Sequence, residues 1–358
     1  MNQAILPNIS TLSLRERSGA LSDNWYVACL SKKLNRKAKS VVIMETRIVI
    51  WRNSQGQVLA LRDRCSHRNA KLSEGQLSVD RKCIACPYHG WQFNALGELT
   101  RVPTEGADGK AYSERKVEHF PVIEQEGLIW IWMGQDKIPD KKPFAMPFFS
   151  QAKWGTYYMV TDFDNNVTNL VENFMDVPHT VYVHKGWFRD RKKKEVKAKV
   201  ERTGDSVLVT YDQTGDEIGF TDRILNPQGL PLYHTDKFYM PNNTRVDYIW
   251  GEEKRGFVIT STCTPISDFK TRVYTCISYK LGILNLMAPL WLPWYTRQVI
   301  QQDVVIMANQ GANLQEEAAK FKNTQVDIPH VFIENLRDAA ANYETAPAPR
   351  SKEFSFWI

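Results

Sequence analysis

Two loops place the tightest constraint on this chain. Cys65-Ser66-His67 and Cys86-Pro87-Tyr88-His89 each offer one thiol and one imidazole among turn-prone residues, with eighteen residues between His67 and Cys86. Only 6 Cys and 7 His occur in all 358 residues, so two Cys/His pairs this close need a common explanation. The surrounding sequence is β-type. Val41 to Met44, Arg47 to Arg52 and Val58 to Arg62 are rich in branched residues, and Asn53-Ser54-Gln55-Gly56 supplies a hairpin turn between the last two. The alternation ends near Trp130-Ile131-Trp132, and Pro139, Pro143 and Pro147 then mark a linker. Residues 25–138 are expected to form a small all-β domain that brings the two loops together.

Beyond the linker the period changes. Val167, Leu170, Val171 and Phe174 recur at helical spacing, with Asp162 or Asp164 as the expected cap, and Pro178 distorts a helix expected over Asn165 to His184. Further β-type runs follow at Val207 to Tyr211, Lys237 to Met240, Val246 to Trp250, Phe257 to Cys263 and Arg272 to Leu281. A second helix is expected from about Trp294 to Asn309, and a third up to Ala341 before a loose Ala346 to Pro349 stretch. A length of 358 suits about two domains, the second made of residues 1–24 and 139–358. The apolar run Leu281 to Trp294 is shorter than the roughly 20 residues a bilayer requires. It reads as a strand and pocket wall feeding the second helix, or as a lip for a membrane or a greasy substrate. The net charge of +6 lacks a clustered basic stripe, so no nucleic-acid partner is expected. The first residues lack a basic n-region with a continuous apolar core, and a reducing cytoplasm is the expected compartment.

The four loop ligands admit three readings: unrelated polar residues, a closed Cys2His2 zinc site, or a two-iron, two-sulfide cluster with both thiolates on one iron and both imidazoles on the other. Asp63 to Arg68 together with Cys86-Pro87-Tyr88-His89-Gly90-Trp91 resembles the Rieske motif of the Rieske non-haem iron oxygenases. That resemblance implies the third reading, with Cys65, His67, Cys86 and His89 holding a [2Fe-2S] cluster. Neutral imidazoles raise its potential and suit it to accept electrons from a ferredoxin or reductase. Backbone amides and the Tyr88 hydroxyl would tune it further. Cys83 has no ligand role in the family pattern and reads as a strand residue.

A second constellation lies at the end of the expected helix. Asp176 and His179 are three apart and share a helix face, whereas His184, five beyond His179, comes off that face unless the helix is distorted. Glu172 to His184 resembles the family signature (Asp/Glu)-x3-Asp-x2-His-x4-His without gap or substitution. The resemblance implies ferrous iron on His179 and His184, with a carboxylate from a late helix completing three facial ligands and leaving positions open for dioxygen. Arg297 to Met307 resembles that helix, with Asp303 at the ligand position and Gln302 where many members carry an acid. It also implies a head-to-tail homotrimer in which Asp176 bridges His89 of one subunit and His179 of the next. Asn173 would lie beside the open iron positions and Glu172 behind them.

The fold so implied is α+β: an all-β Rieske domain, then a catalytic domain of helix-grip type with an antiparallel sheet flanked by helices. The implied activity is oxygen-dependent hydroxylation or demethylation of an apolar, aromatic or heterocyclic small molecule. No GxGxxG fingerprint occurs, so electrons derived from NAD(P)H are expected through a separate reductase or ferredoxin. Ring cis-dihydroxylation stays open, as does an electron carrier with a degenerate second domain. Arg62, Arg64, Arg68, Lys71, Arg81 and Lys82 are either solvated charge or a docking patch for an acidic donor, and Arg189 to Lys194 reads as an exposed loop. Phe238, Tyr248, Trp250, Ile259 and His234 are pocket candidates. Cys29, Cys83, Cys263 and Cys276 read as buried thiols.

Overall fold

The Asn53 turn closes as its side chain dictates: Asn53 Oδ1 accepts from the backbone N–H of Gln55 at 3.0 Å and Gln57 at 2.9 Å, and Gly56 takes φ 83°. The computed structural model describes residues 19–106, 114–134, 140–187, 194–212, 226, 229–251, 255–316 and 321–357. The expected loop at Arg189 to Lys194 lies almost entirely outside them. The chain divides into two compact units, Ser22–Ala145 and the remainder.

The first unit is all β. Its strands are β1 (Trp25–Leu30), β2 (Lys39–Ile43), β3 (Thr46–Arg52), β4 (Val58–Arg62), β5 (Gln76–Leu77), β6 (Ile84–Ala85), β7 (Gln92–Phe93), β8 (Leu99–Arg101), β9 (Val122–Gln125) and β10 (Leu128–Trp132). They make three antiparallel sheets, ordered β1-β10-β9, β2-β3-β4 and β5-β6-β7-β8. Trp51, Leu61, Ile84, Phe93 and Leu99 form one core with Cys65, Cys86 and Trp91. The thiols are thus held by apolar packing on the first unit's own strands. Cys83 sits just before β6, half-buried, rather than in a strand.

The second unit is built on one eight-stranded antiparallel sheet. Its strands are β11 (Gly155–Phe163), β12 (Glu195–Arg202), β13 (Ser206–Tyr211), β14 (Leu232–Tyr239), β15 (Asn243–Trp250), β16 (Arg255–Ser267), β17 (Lys270–Lys280) and β18 (Arg350–Trp357), in the order β11-β17-β16-β15-β14-β13-β12-β18. Helices α1 (Val167–Asn173), α2 (Thr180–Val183), α3 (Ala288–Glu316) and α4 (Ile328–Ala341) accompany it. Leu170, Val171, Met307, Phe332 and Leu336 of the longer helices share a core with Val200, Val209 and Phe238 of the strands.

Three expectations change here. The helix expected over Asn165 to His184 is two short helices separated by an irregular link, because Pro178 supplies no amide hydrogen and disfavours helical backbone before it. Asn166 caps α1 through the Thr168 N–H at 2.8 Å, while Asp162 pairs with Arg272 on the neighbouring strand at 2.6 Å. The Leu281 to Trp294 stretch is not a strand. Gly282–Leu286 is a 3-10 turn and Ala288 already opens α3, with Pro293 inside it. Ala288 and Leu292 turn inward while Ile283, Leu286 and Leu290 are exposed.

Arg337 of α4 is 2% exposed and donates to the carbonyls of Pro241 and Gly19 and to Asn242 Oδ1. Its donors therefore tie α4 to the β14–β15 connection and to the segment before β1. Replacing it with methionine keeps the volume and removes every donor. Arg337→Met is expected to lower stability by about 3–5 kcal/mol, read from the midpoint of a urea unfolding curve.

Candidate iron centres

The two cluster loops share one backbone frame. Asn69 N–H donates to the Cys65 carbonyl and Gly90 N–H to that of Cys86, each at 3.0 Å, while Cys65 N–H donates to Ala70 and Cys86 N–H to Trp91 at 2.9 and 2.8 Å. Asn69 and Gly90 occupy the same place in the two turns with φ 61° and 72°. This matched folding carries His67 and His89 to a ring separation of 4.7 Å, and the Trp91 indole stacks flat on His67 at 4.4 Å. Both Nδ1 atoms are buried without a hydrogen-bond partner. Desolvation, the facing His89 and the Arg68 and Arg115 guanidiniums lower the basicity of His67. Burial, with the neighbouring Cys86 thiol, pushes the Cys65 thiol up to about 11.

Two buried thiols and two buried imidazole nitrogens without hydrogen-bond partners converge from matched turns. They fit a [2Fe-2S] cluster held by Cys65, Cys86, His67 and His89. The Tyr88 side chain is 65% exposed and its ring stacks over His89 at 3.9 Å. Of the basic residues near the loops, Lys71 pairs with Glu74 and Arg62 with Glu118, while Arg64 and Arg68 are exposed.

The second centre depends on where α3 sits. Asn165 donates to the Met307 carbonyl at 2.7 Å and to Gln310 Oε1 at 2.9 Å, and a Cβ on Gly311 would lie 2.2 Å from the Asp164 carbonyl. Asp303, Met307 and Gly311 are buried at four-residue intervals on one helix face. On the opposite wall, the break at Pro178 leaves His179 and His184 at the two ends of α2. Asp303 Oδ1 lies 3.5 Å from His179 Nε2 and 3.2 Å from His184 Nε2, and the two imidazole nitrogens are 3.3 Å apart. Ligand bonds of about 2.1 Å at right angles give edges of about 3 Å, so the triangle fits one ion with three facial ligands. Burial acts to raise Asp303, but the two imidazoles outweigh it and hold the carboxyl down at about 2. Burial likewise acts to lower His179, and the Asp303 and Asp176 carboxylates outweigh it and raise the imidazole.

Gln302, which departs from the family pattern, has a definite task. Its Oε1 lies 2.9 Å from His184 Nδ1. An amide oxygen can only accept, so His184 carries its proton on Nδ1 and presents a bare Nε2 to the triangle. Asp176 Oδ2 lies 3.8 Å from His179 Nδ1, just beyond hydrogen-bond reach. Asn173 has a buried, unpartnered Nδ2. Glu172 faces the charges of Glu334, Arg337 and Asp338 on α4, and burial pushes it up to about 8.

The triangle opens on an apolar cavity lined by Phe163, Phe174, Val246, Tyr248, Ile259 and Ile277, among others, with the inner side of α3 as the facing wall. Tyr248 and Ile259 line it as expected. Phe238 instead belongs to the core beneath α1 and α4, and Trp250 packs beside the cavity with Leu232 and Phe257.

Gln302→Leu is expected to weaken iron binding at the triad about 10- to 100-fold, measured by chelator competition while the visible cluster absorption stays unchanged. Folding keeps Glu172 protonated at pH values where the unfolded chain has released that proton. Stability should therefore fall as pH rises from about 4.5 toward about 8. Glu172→Gln should flatten that slope and be the more stable protein at pH 8, by a few kcal/mol at most, in urea unfolding across this range.

The Rieske [2Fe-2S] domain family model matches residues 24–121, and the vanillate O-demethylase oxygenase C-terminal domain model matches 163–331. The oxygenase component of dicamba O-demethylase from Stenotrophomonas maltophilia is 37% identical over 164 residues, 45% of this chain and 47% of that protein. The chloroplastic protein TIC 55 of Arabidopsis thaliana is 32% identical over 320 residues, 86% of this chain and 56% of its own. The chain spans about half the length of these curated relatives. Among solved structures, dicamba monooxygenase bound to dicamba superposes with TM-score 0.78 at 22% identity, covering 91% of this chain and 98% of that one. The Pseudomonas putida CBB5 NdmA QL mutant with theobromine gives 0.74 at 19%, covering 94% and 98%. At these identities the superpositions establish the α+β fold. With one family model over the cluster loops and the other over the histidines and carboxylate of the triangle, the chain belongs to the Rieske non-haem iron oxygenases.

Proposed function

We propose that this chain is the terminal oxygenase of a multicomponent system, a monooxygenase or oxidative demethylase acting on an apolar, aromatic or heterocyclic small molecule. Residues 25–138 would form its cluster domain, and residues 1–24 with 139–358 its catalytic domain. Cys65, Cys86, His67 and His89 would hold the cluster, and His179, His184 and Asp303 the mononuclear ferrous iron. When bound, the two centres would supply one-electron storage and activation of dioxygen, with electrons from NAD(P)H arriving through a separate reductase or ferredoxin.

The observation that carries this reading is the three-atom triangle, with edges of 3.2 to 3.5 Å, at the wall of an apolar cavity. The chain's own residues do the positioning. Gln302 sets the His184 tautomer, the Phe163 and Phe174 rings and the aliphatic floor exclude water, and the α3 wall confines the substrate beside the open side of the triangle. The O-demethylase and monooxygenase names of the relatives favour insertion of one oxygen atom over cis-dihydroxylation. By family resemblance the assembly would be a head-to-tail homotrimer. The Asp176 side chain, 29% exposed, would then accept from His179 on one side and from His89 of a neighbouring subunit on the other. A reducing cytoplasm is the compartment that suits these thiolates and ferrous iron, and no helix among the described residues is long and apolar enough to cross a membrane.

An oxygenase should contain about three irons and two acid-labile sulfides per chain, whereas a carrier using only the cluster should contain about two irons. His179→Ala is expected to lose the iron not matched by sulfide, keep the visible cluster spectrum and abolish substrate-dependent oxygen consumption. Undiminished turnover in that variant would remove the triad from the mechanism.

A further inference from the structure

The sheet register builds the cavity floor in rows. Ile277 of β17 pairs with Ile259 of β16, Ile259 with Val246 of β15, and Val246 with Asp236 of β14. Along this row Ile277, Ile259 and Val246 line the cavity, and the fourth lining position is a carboxylate. Asp236 is 2% exposed, and burying a carboxylate is costly unless donors hold it. Here they do. Tyr211 donates its hydroxyl to Oδ2 at 2.8 Å, and His234 Nε2 lies 3.0 Å from Oδ1. The His234 ring is clamped between Tyr211 and Tyr248, with ring centroids 4.4 Å away on each side.

A floor meant only to pack would continue the aliphatic row. This one instead supports a carboxylate from behind with a hydroxyl and an imidazole, and each oxygen keeps accepting capacity beyond its one donor. The cavity's other acids are Asp176 and Asp303, and no Lys or Arg occurs among its described lining residues. Away from the iron triangle, a carboxylate or sulfonate at the β14 end of the floor would find no Lys or Arg to receive it and the buried Asp236 carboxylate to oppose it. A ligand carrying N–H or O–H would find an acceptor already oriented.

Building on the oxygenase reading above, we propose that Asp236 selects the substrate class. The cavity takes a small apolar molecule that bears a hydrogen-bond donor, an amine above all, and rejects its anionic counterpart. Asp236 fixes the donor end at the β14 side of the floor, and His234 and Tyr211 act as positioning residues that hold the carboxylate in place.

Three probes of one size and shape separate the possibilities: 4-methoxybenzylamine, 4-methoxybenzyl alcohol and 4-methoxybenzoate, with binding to the iron-loaded protein measured by equilibrium dialysis at pH 7. The wild-type protein is expected to bind the amine at least about tenfold more tightly than the benzoate, with the alcohol between them. Asp236→Asn, nearly isosteric and neutral, should bring amine and benzoate within about twofold of each other while the cluster spectrum is unchanged. Wild-type protein that binds the benzoate as well as the amine overturns the assignment with no variant needed. So does binding of none of the three, or an amine preference that survives Asp236→Asn. Iron and sulfide content, measured on the same samples, tests the oxygenase reading separately, so either idea can fail alone.

Discussion

Everything at the second centre depends on the seat of one helix. Gly311 approaches the Asp164 carbonyl so closely that no side chain fits between them, and Asn165 locks the same turn through the Met307 carbonyl. Two turns along the same face, that lock determines where the Asp303 carboxylate lies. Because Asn165 also precedes the cap of α1, a single contact aligns both walls of the site: the helix that carries the carboxylate and the segment that leads to the histidines. A slip of one residue on α3 would rotate Asp303 by about 100° and leave two imidazoles without their anion.

Much of this was legible in the sequence, and for physical reasons. Cys65, His67, Cys86 and His89 stand in short turns whose form their own glycine and polar residues dictate, so local spacing was enough to read them together. The strands from β13 to β17 announced themselves by branched and aromatic residues. What stayed hidden depends on distant partners. The Gln302 oxygen meets His184 only because α3 and α2 face each other, 118 residues apart in sequence. Asp236 carries no local signal, and only the register sets it in a row with Val246, Ile259 and Ile277. Strand β12 shows the alternation of an amphipathic strand, with Val196, Ala198 and Val200 inward, yet its many charges mask the pattern, and its partner β18 lies about 150 residues further on. Helix α3 begins at Ala288, six residues before the expected start at Trp294. Pro289 falls in the first turn, where the amides lack acceptors anyway and proline is tolerated, whereas Pro293 lies inside the helix.

The cavity shows how an antiparallel sheet can be a binding surface and a core at once. Successive residues of β14 alternate faces, so His234, Asp236 and Phe238 all turn inward. They do three different things there. Phe238 packs beneath the helices, Asp236 meets the cavity, and His234 stands behind Asp236 between two tyrosine rings. The division follows from how far α1 and α4 extend along the sheet. Where the helices cover a row it becomes core, and where α3 stands off, the same inward face becomes the floor of a site.

The break between α1 and α2 belongs to the same logic. In a continuous helix, residues five apart point about 140° away from each other, too far for both imidazoles to reach one ion. Stopping the helix at Asn173 and restarting it at Thr180 for a single turn puts His179 before that turn and His184 after it. Their rings then meet at 72° with Nε2 atoms 3.3 Å apart. Thr180 secures the restart at the Val177 carbonyl, which accepts from its hydroxyl at 2.7 Å and from its backbone N–H at 3.0 Å. Pro178, which looks like a defect in a helix, is the device that converts a five-residue spacing into a shared coordination site.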